Sequence, residues 1–244
     1  MTGTSDATVI RAVQSLGFAG MGELKKALLS TLGQPSTPAE NMRRTLAETG
    51  ADAEQALRMV VEIHAESVEA LRGAPVRAQI TAAVAVLHSA ERIVVFGIGP
   101  TAFLAGYGAM LLERTGRRSK SLTATGSILA DQLLDLRAGD GMLAFAYGRP
   151  YREVRTVFAE ARRLNLPVVL VTDQPDHALA RQADIVLAVP RGRAGQVALH
   201  GATLMALEAL LLGLAAVNQD KAMTALGRLE TLRKAIGEAS SSAV

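Results

Sequence analysis

The sequence contains no cysteine and only four histidines, and these two shortages exclude several kinds of site. Without thiols the chain has no disulfide framework, no thiolate metal site and no cysteine nucleophile. The histidines lack the i,i+4 spacing that places two imidazoles on one helix face; they are His64, His88, His177 and His200. We therefore expect no metal ion and no cofactor. The lack of cysteine is compatible with a cytoplasmic protein.

Long apolar runs and a strong excess of charge are also absent. The longest apolar run, residues 209–217, falls well short of the roughly 20 residues that span a bilayer, and the first residues lack the basic start and apolar core of a secretory signal. We therefore expect no membrane segment. The net charge of +3, from 26 basic and 23 acidic residues, is too small to indicate nucleic-acid binding by itself.

The residues that are present favour a folded protein of one large or two small domains. Hydrophobic residues make up 49% of the 244 residues and charged residues 20%. This balance supplies enough apolar material for a core and excludes a wholly disordered chain.

The chain divides into three segments by its pattern of apolar residues and turn formers. Residues 4–32 predict two short helices, the first capped by Ser5 and ended by Gly17, because apolar residues recur there at helical spacing. Turn-forming residues after them predict a linker at 33–48. Residues 49–244 have the pattern of an α/β domain.

In this third segment, apolar runs typical of strands alternate with helical runs. Strands are predicted at 92–96, 119–122, 142–146, 168–171 and 185–189. Helices are predicted at about 53–71, from Pro75 onward, and at 102–115, 128–136, 151–164, 197–217 and 223–236. The alternation predicts βαβ units and a doubly wound, five-stranded parallel sheet flanked by helices.

The loop after the first strand is the first candidate for a binding site, because ligands of such sheets bind beyond the carboxyl ends of the strands. Gly97, Gly99 and Thr101 lead there into a helix, where free N–H groups and the helix dipole favour an anion such as phosphate. The same glycines also fit a tight turn without a ligand, since the third glycine of the dinucleotide fingerprint is missing.

The loop after the second strand has a similar composition. Thr125, Gly126 and Ser127 stand at a helix start, where a hydroxyl either caps the helix or donates to a phosphate oxygen.

The loop after the third strand adds an aromatic ring and a cation. Tyr147, Gly148 and Arg149 follow that strand. The guanidinium suits a phosphate, and the ring offers a flat face to a sugar or buries its hydroxyl against a partner. A solvated surface role is the alternative for the arginine. Together the three loops predict a site for a small anionic ligand.

At this point the sequence resembles a known family. The segments that carry the resemblance are 5–11, 16–20, 23–25, 97–101 and 139–149. Residues from about 50 to 240 resemble a sugar isomerase (SIS) domain, and residues 4–32 resemble the end of the helix-turn-helix domain of RpiR-type transcriptional regulators. The resemblance implies a flavodoxin-like SIS domain at 49–244, preceded at 1–32 by a short all-α remnant of a helix-turn-helix domain.

The resemblance also implies a function. It implies a regulator whose SIS domain senses a phosphorylated sugar or a related small anion. This signal then changes the binding of the regulator to operator DNA, and the regulator is a homodimer or homotetramer. The helix from 5 to 15 then faces the DNA groove, and the candidate contacts to bases or phosphates are Ser5, Thr8, Arg11 and Gln14.

The sequence departs from the family pattern in two places. Thr101 and the run Ala146-Tyr147-Gly148 stand where the family commonly has serines, so either Arg149 and backbone N–H groups replace the lost donors or the ligand is not an ordinary sugar phosphate. The helices that precede the recognition helix in the family are absent, which leaves a truncated product or a regulator that has lost DNA binding as alternatives.

An aldose–ketose isomerase is the main alternative function, because SIS domains occur in such enzymes. The reaction needs a general base near the phosphate, and the candidates are Asp131, Glu153, His200 and Glu208. None of the phosphate-type loops carries a carboxylate within its turn, so we expect a sensor rather than an enzyme and assign no catalytic residue. A third alternative is an oligomeric scaffold, in which the helices at 197–217 and 223–236 pack between subunits.

Overall fold

The computed structural model describes residues 6–24, 37–148 and 150–241. The strands are β1 (Arg92–Phe96), β2 (Ser119–Leu122), β3 (Asp140–Phe145), β4 (Val168–Thr172) and β5 (Ile185–Ala188). They form one parallel sheet in the order β2-β1-β3-β4-β5, in which Val95 pairs with Ser121 on one side and with Leu143 on the other. The predicted doubly wound sheet is confirmed.

Nine α-helices of eight residues or more are described in the same part of the chain. They are α1 (Asp6–Ser15), α2 (Pro38–Thr49), α3 (Ala53–Leu71), α4 (Ala74–His88), α5 (Pro100–Arg114), α6 (Gly126–Leu133), α7 (Arg152–Arg163), α8 (Gly201–Ala216) and α9 (Gln219–Ser241). No single one of them is long and apolar enough to cross a membrane; α8 and residues 219–237 meet that test only as a pair, across a bend of 104°.

Alternate residues of each strand enter two separate cores, as expected for a sheet covered on both faces. On one face Ile93 and Val95 pack with α4, α5 and α8. On the other face Val94 and Phe96 pack with α6 and α7. All four side chains are at most 1% exposed.

An ion-pair cluster joins the amino ends of β1 and β3. The guanidinium of Arg92 contacts Asp140 at 2.6 Å and Asp135 at 2.7 Å. Hydrogen bonds from Lys120 and Arg92 hold the pKa of Asp135 at about 2, because they favour the ionised carboxylate. The charges at this end of the sheet are thus paired with one another.

Helix α2 lies where the sequence analysis placed a linker. Its start is a capping box: the Thr37 N–H donates to Glu40 at 2.7 Å, and the Glu40 N–H donates to the Thr37 hydroxyl at 3.2 Å. Pro38 occupies the first turn, where it costs no hydrogen bond. The Thr-Pro-x-Glu sequence was the signal for this helix. Residues 38–48 of the expected linker are therefore helical, and the division of the chain into three domains stays a prediction.

The first N-terminal helix agrees with its expected position. Helix α1 ends at Ser15, and Gly17 follows with a φ of +87°. Residues 21–24 are helical too. Ser5 and residues 25–32, which were expected to cap the first helix and complete the second, lie outside the described residues.

Candidate functional site

The chain reverses its winding direction at β1, which lies between β2 and β3 in the sheet. The loops after β1 and β3 therefore part at the carboxyl edge, which is where such sheets bind ligands. A cavity of about 160 Å³ lies at this point, and its walls include Thr101, Tyr147, Arg191 and His200. We call it the switch-point cavity.

The turn from β1 into α5 forms one wall of the cavity. The Gly97 N–H donates to the Leu122 carbonyl at 3.1 Å, and a Cβ at Gly97 would stand only 2.4 Å from the Thr101 carbonyl oxygen. Gly99 has a φ of +60° directly before α5. The buried Thr101 hydroxyl donates to the Ile98 carbonyl at 2.9 Å. Its proton is therefore engaged, and the hydroxyl can only accept a hydrogen bond from a ligand.

Tyr147 is fixed from three sides. Its hydroxyl lies 2.7 Å from that of Thr203, the edge of the His200 ring meets it at a centroid distance of 5.5 Å, and the guanidinium carbon of Arg191 stands 4.3 Å from its ring centre. Burial raises the pKa of Tyr147 well above its ordinary value. Tyr147 is therefore neutral and keeps its hydroxyl proton, and its ring is a fixed part of the cavity wall.

Arg191 is the cation of this wall, and the sequence analysis missed it. Its guanidinium contacts Asp173 Oδ2 at 3.0 Å through Nε and at 2.7 Å through Nη2, and the Gly148 N–H reaches the other oxygen of that carboxylate at 3.4 Å. Arg191 comes three residues after the last residue of β5. The rule that directed attention to the loops after the first three strands would have found it after the fifth.

His200 is the one imidazole that lines the switch-point cavity among the described residues. Burial, and then the positive charge of Arg191, lower the pKa of His200, while Asp173 opposes the shift. The ring is therefore neutral near pH 7. Of the other base candidates, Glu208 is exposed and accepts a hydrogen bond from Tyr107 at 3.0 Å; Asp131 and Glu153 do not line the cavity.

The remaining expected ligand contacts lie elsewhere or cannot be placed. Thr125, Gly126 and Ser127 are exposed and do not line the switch-point cavity, and the Thr125 side chain makes no capping hydrogen bond. Gly148 lines a neighbouring cavity that also includes Arg191. Arg149 lies outside the described residues.

The expected DNA contacts form an exposed side of α1. Thr8, Arg11 and Gln14 follow one another at spacings of three residues and are all exposed, whereas Val13 is buried. Ser5 lies outside the described residues. Within the described part of the chain, no group of three or more acidic or histidine side chains is arranged to hold a metal ion.

Comparisons with known proteins agree with this architecture. The family model of the SIS domain matches residues 86–213, more than half of the chain. The sugar isomerase domain of an RpiR transcription factor from Sphaerobacter thermophilus superposes with a TM-score of 0.62 at 26% identity, over 71% of this chain and 99% of that chain. A comparison with curated proteins gives no match.

Two further solved structures share the fold at lower identity. The NanR protein of Vibrio vulnificus, complexed with ManNAc-6P, has a TM-score of 0.61 at 20% identity and covers 96% of this chain and 82% of its own. A protein of Escherichia coli CFT073, solved in complex with a phosphosugar, has a TM-score of 0.60 at 16% identity, over 74% of this chain and 98% of that chain.

Proposed function

The chain belongs to the SIS domain family, and from this we propose that it is a transcriptional regulator that senses a phosphorylated sugar or a related small anion in its switch-point cavity. The observation that carries the proposal is the meeting of Thr101, Tyr147 and Arg191 around one cavity at the carboxyl edge of the sheet. The similarity to an RpiR transcription factor, and the phosphosugars bound to two structural neighbours, support it.

The proposed binding chemistry is electrostatic. The Thr101 hydroxyl and the Tyr147 hydroxyl already have protein partners, so a phosphate is held here by Arg191 and by the positive end of the α5 dipole. Arg149, Gly148 and the loop of Thr125 and Ser127 remain proposed contacts. This arrangement would replace the serine hydroxyls that the family pattern has at these loops.

A screen for thermal stabilisation tests the proposal. A ligand that binds only the native protein raises its melting temperature by mass action. We expect at least one sugar phosphate to raise the melting temperature, and Arg191→Gln to reduce that rise strongly. If no phosphorylated sugar shifts the transition, or if Arg191→Gln responds as the wild type does, the proposal fails.

We propose that ligand sensing controls the binding of this protein to operator DNA in the cytoplasm. We expect this chain to bind operator-like duplex weakly through Arg11 and its neighbours on α1, and this binding to fall steeply as the salt concentration rises. Tight, sequence-selective binding would contradict this expectation.

Isomerisation is the second candidate function, and the position of His200 in the cavity wall favours it. Its neutral imidazole suits a general base. Turnover of an aldose phosphate that disappears in His200→Ala would establish the enzyme. Ligand binding without turnover would favour the sensor.

A further inference from the structure

The switch-point cavity is too small to enclose a phosphosugar by itself. Its volume is about 160 Å³, whereas sites for small organic ligands usually measure roughly 300–1,000 Å³. A cavity of about 460 Å³ shares Arg191 with it. We call this larger space the amide cavity, after the side chains of Asn41, Gln174 and Gln196 in its walls.

The amide cavity lies between helix α2 and the loop from 190 to 198. Asn41 comes from α2, Gln174 follows β4, and Gln196 belongs to the loop. The charged side chains of its walls are paired with one another or with α3, since Arg191 contacts Asp173 and Arg193 contacts Glu66. The neutral carboxamides supply both donors and acceptors, which is the chemistry that sugar hydroxyls need.

One acceptor in this wall has no partner. Gln196 is 8% exposed, and its Nε2 donates to Glu48 Oε2 at 2.7 Å. Its Oε1 is buried without a hydrogen bond, although buried side-chain oxygens nearly always have one. The bond from Nε2 fixes this carboxamide against α2 at the wall of the amide cavity.

Helix α2 is attached directly to the loop that carries these groups. The Val197 N–H donates to the Thr45 hydroxyl at 2.9 Å, and the Gln196 amide bridges to Glu48. A Cβ at Gly195 would lie 2.6 Å from the Arg44 guanidinium, so the helix and the loop touch here. The α2 wall therefore moves with the loop, and the loop begins at Arg191.

We propose that the amide cavity binds the polyhydroxylated part of the ligand, with α2 as one of its walls and the anionic group of the ligand at Arg191. This inference rests on the proposed function and adds to it a subsite and a route for the signal. A ligand in both cavities contacts the edge of the sheet and α2 at once, and α2 lies before residues 86–213, which match the SIS family. Binding therefore stabilises α2.

Calorimetric titration of the full chain tests this subsite with two kinds of probe, a panel of hexose 6-phosphates and inorganic phosphate. The variants are Asn41→Ala and Gln174→Ala, and the matched control is Gln55→Ala, an exposed amide on α3. Each cavity variant is expected to weaken hexose phosphate binding by roughly three- to tenfold, as the loss of a neutral hydrogen bond does. The control is expected to match the wild type, and inorganic phosphate is expected to bind all four proteins equally.

The outcomes separate the inference from the function on which it rests. If no hexose phosphate binds the wild type, the proposed function fails and the inference fails with it. If one binds the wild type and both cavity variants with equal affinity, only the subsite is wrong. Hydrogen–deuterium exchange gives an independent reading: the ligand should slow exchange in residues 38–49, and unchanged exchange there would overturn the role of α2.

Discussion

The guanidinium of Arg191 stands over the Tyr147 ring, 4.3 Å from its centre, and an ion pair with Asp173 at 2.7 Å holds it there. Arg191 lines both the switch-point cavity and the amide cavity. A single side chain thus lies at the boundary of the two spaces.

Replacing Arg191 should remove most of the affinity for an anionic ligand. A hydrogen bond to a charged group contributes about 1.5–3 kcal/mol, so Arg191→Gln is expected to weaken binding of a stabilising sugar phosphate by roughly 10- to 100-fold in calorimetric titration. Arg58→Gln is the control, because Arg58 is exposed and paired with Glu54 on α3. Equal affinity in Arg191→Gln and the wild type would show that the anion lies elsewhere.

Gly97 should tolerate no side chain, because the turn into α5 leaves no space for one. Gly97→Ala places a Cβ against the Thr101 carbonyl, and overpacking of this kind costs about 1–3 kcal/mol. We expect denaturant unfolding to show a decrease of this size in the free energy of unfolding. Gly227→Ala, at an open position inside α9, should instead stabilise by about 0.5–1 kcal/mol. Equal stability of the two variants would contradict the packing at this turn.

His200 should make the stability depend on pH on the acid side of neutrality. Burial lowers its pKa below the ordinary value of 6.5, so the unfolded chain binds a proton more readily than the folded one. The stability that depends on a neutral His200 ring is fully present above about pH 6.5, and it is lost as the pH falls below that value. Arg191 and Asp173 face the ring with opposite effects on this pKa.

Denaturant unfolding at several pH values measures this dependence. The free energy of unfolding of the wild type is expected to fall more steeply below pH 6.5 than that of His200→Gln, which has no group to protonate there. Parallel curves for the two proteins would show that His200 is not buried as the structure has it.

The outer faces of α5 and α8 should form a contact between subunits. The Tyr107–Glu208 hydrogen bond joins the two helices, and on their surfaces Phe103 and Leu212 are 82% and 73% exposed. Large apolar side chains exposed on two joined helices are candidates for an interaction site. We expect the wild type to be a homo-oligomer in light scattering, as the resemblance to RpiR-type regulators implies.

A matched pair of variants tests this surface. The double variant Phe103→Ser, Leu212→Ser is expected to lower the measured mass toward that of one chain. Leu134→Ser removes an equally exposed leucine, 85% exposed, from the helix end on the opposite face of the sheet, and should leave the mass unchanged. A monomeric wild type, or a double variant of unchanged mass, would refute the interface.

The sheet and the two central loops were predictable because local sequence decides them. Residues 142–145 of β3 and 168–171 of β4 are unbroken apolar runs, and parallel topology brings the ends of β1 and β3 together. This is why Thr101 and Tyr147 could be expected at one site. The loop of Thr125 follows β2, which lies at the edge of the sheet next to β1. The sequence alone does not show the distance between this loop and the cavity.

What sequence could not supply were contacts between distant segments. Arg191 is oriented at the site by its pairing with Asp173, and Gln196 meets Glu48 across 148 positions of the chain. Neither pairing has a local pattern. Helix α2 is a different case, because its capping box at Thr37 and Glu40 is a local signal. The turn-forming residues before this helix had instead indicated a linker.

Calorimetric titration of the wild type with a sugar phosphate and with the same sugar without its phosphate tests the central claim most directly. The account predicts that a sugar phosphate which raises the melting temperature binds at one site per chain, and that its unphosphorylated parent binds at least roughly tenfold more weakly because it leaves Arg191 without an anion. Equal binding of the two sugars, or no binding of any sugar phosphate, would contradict it.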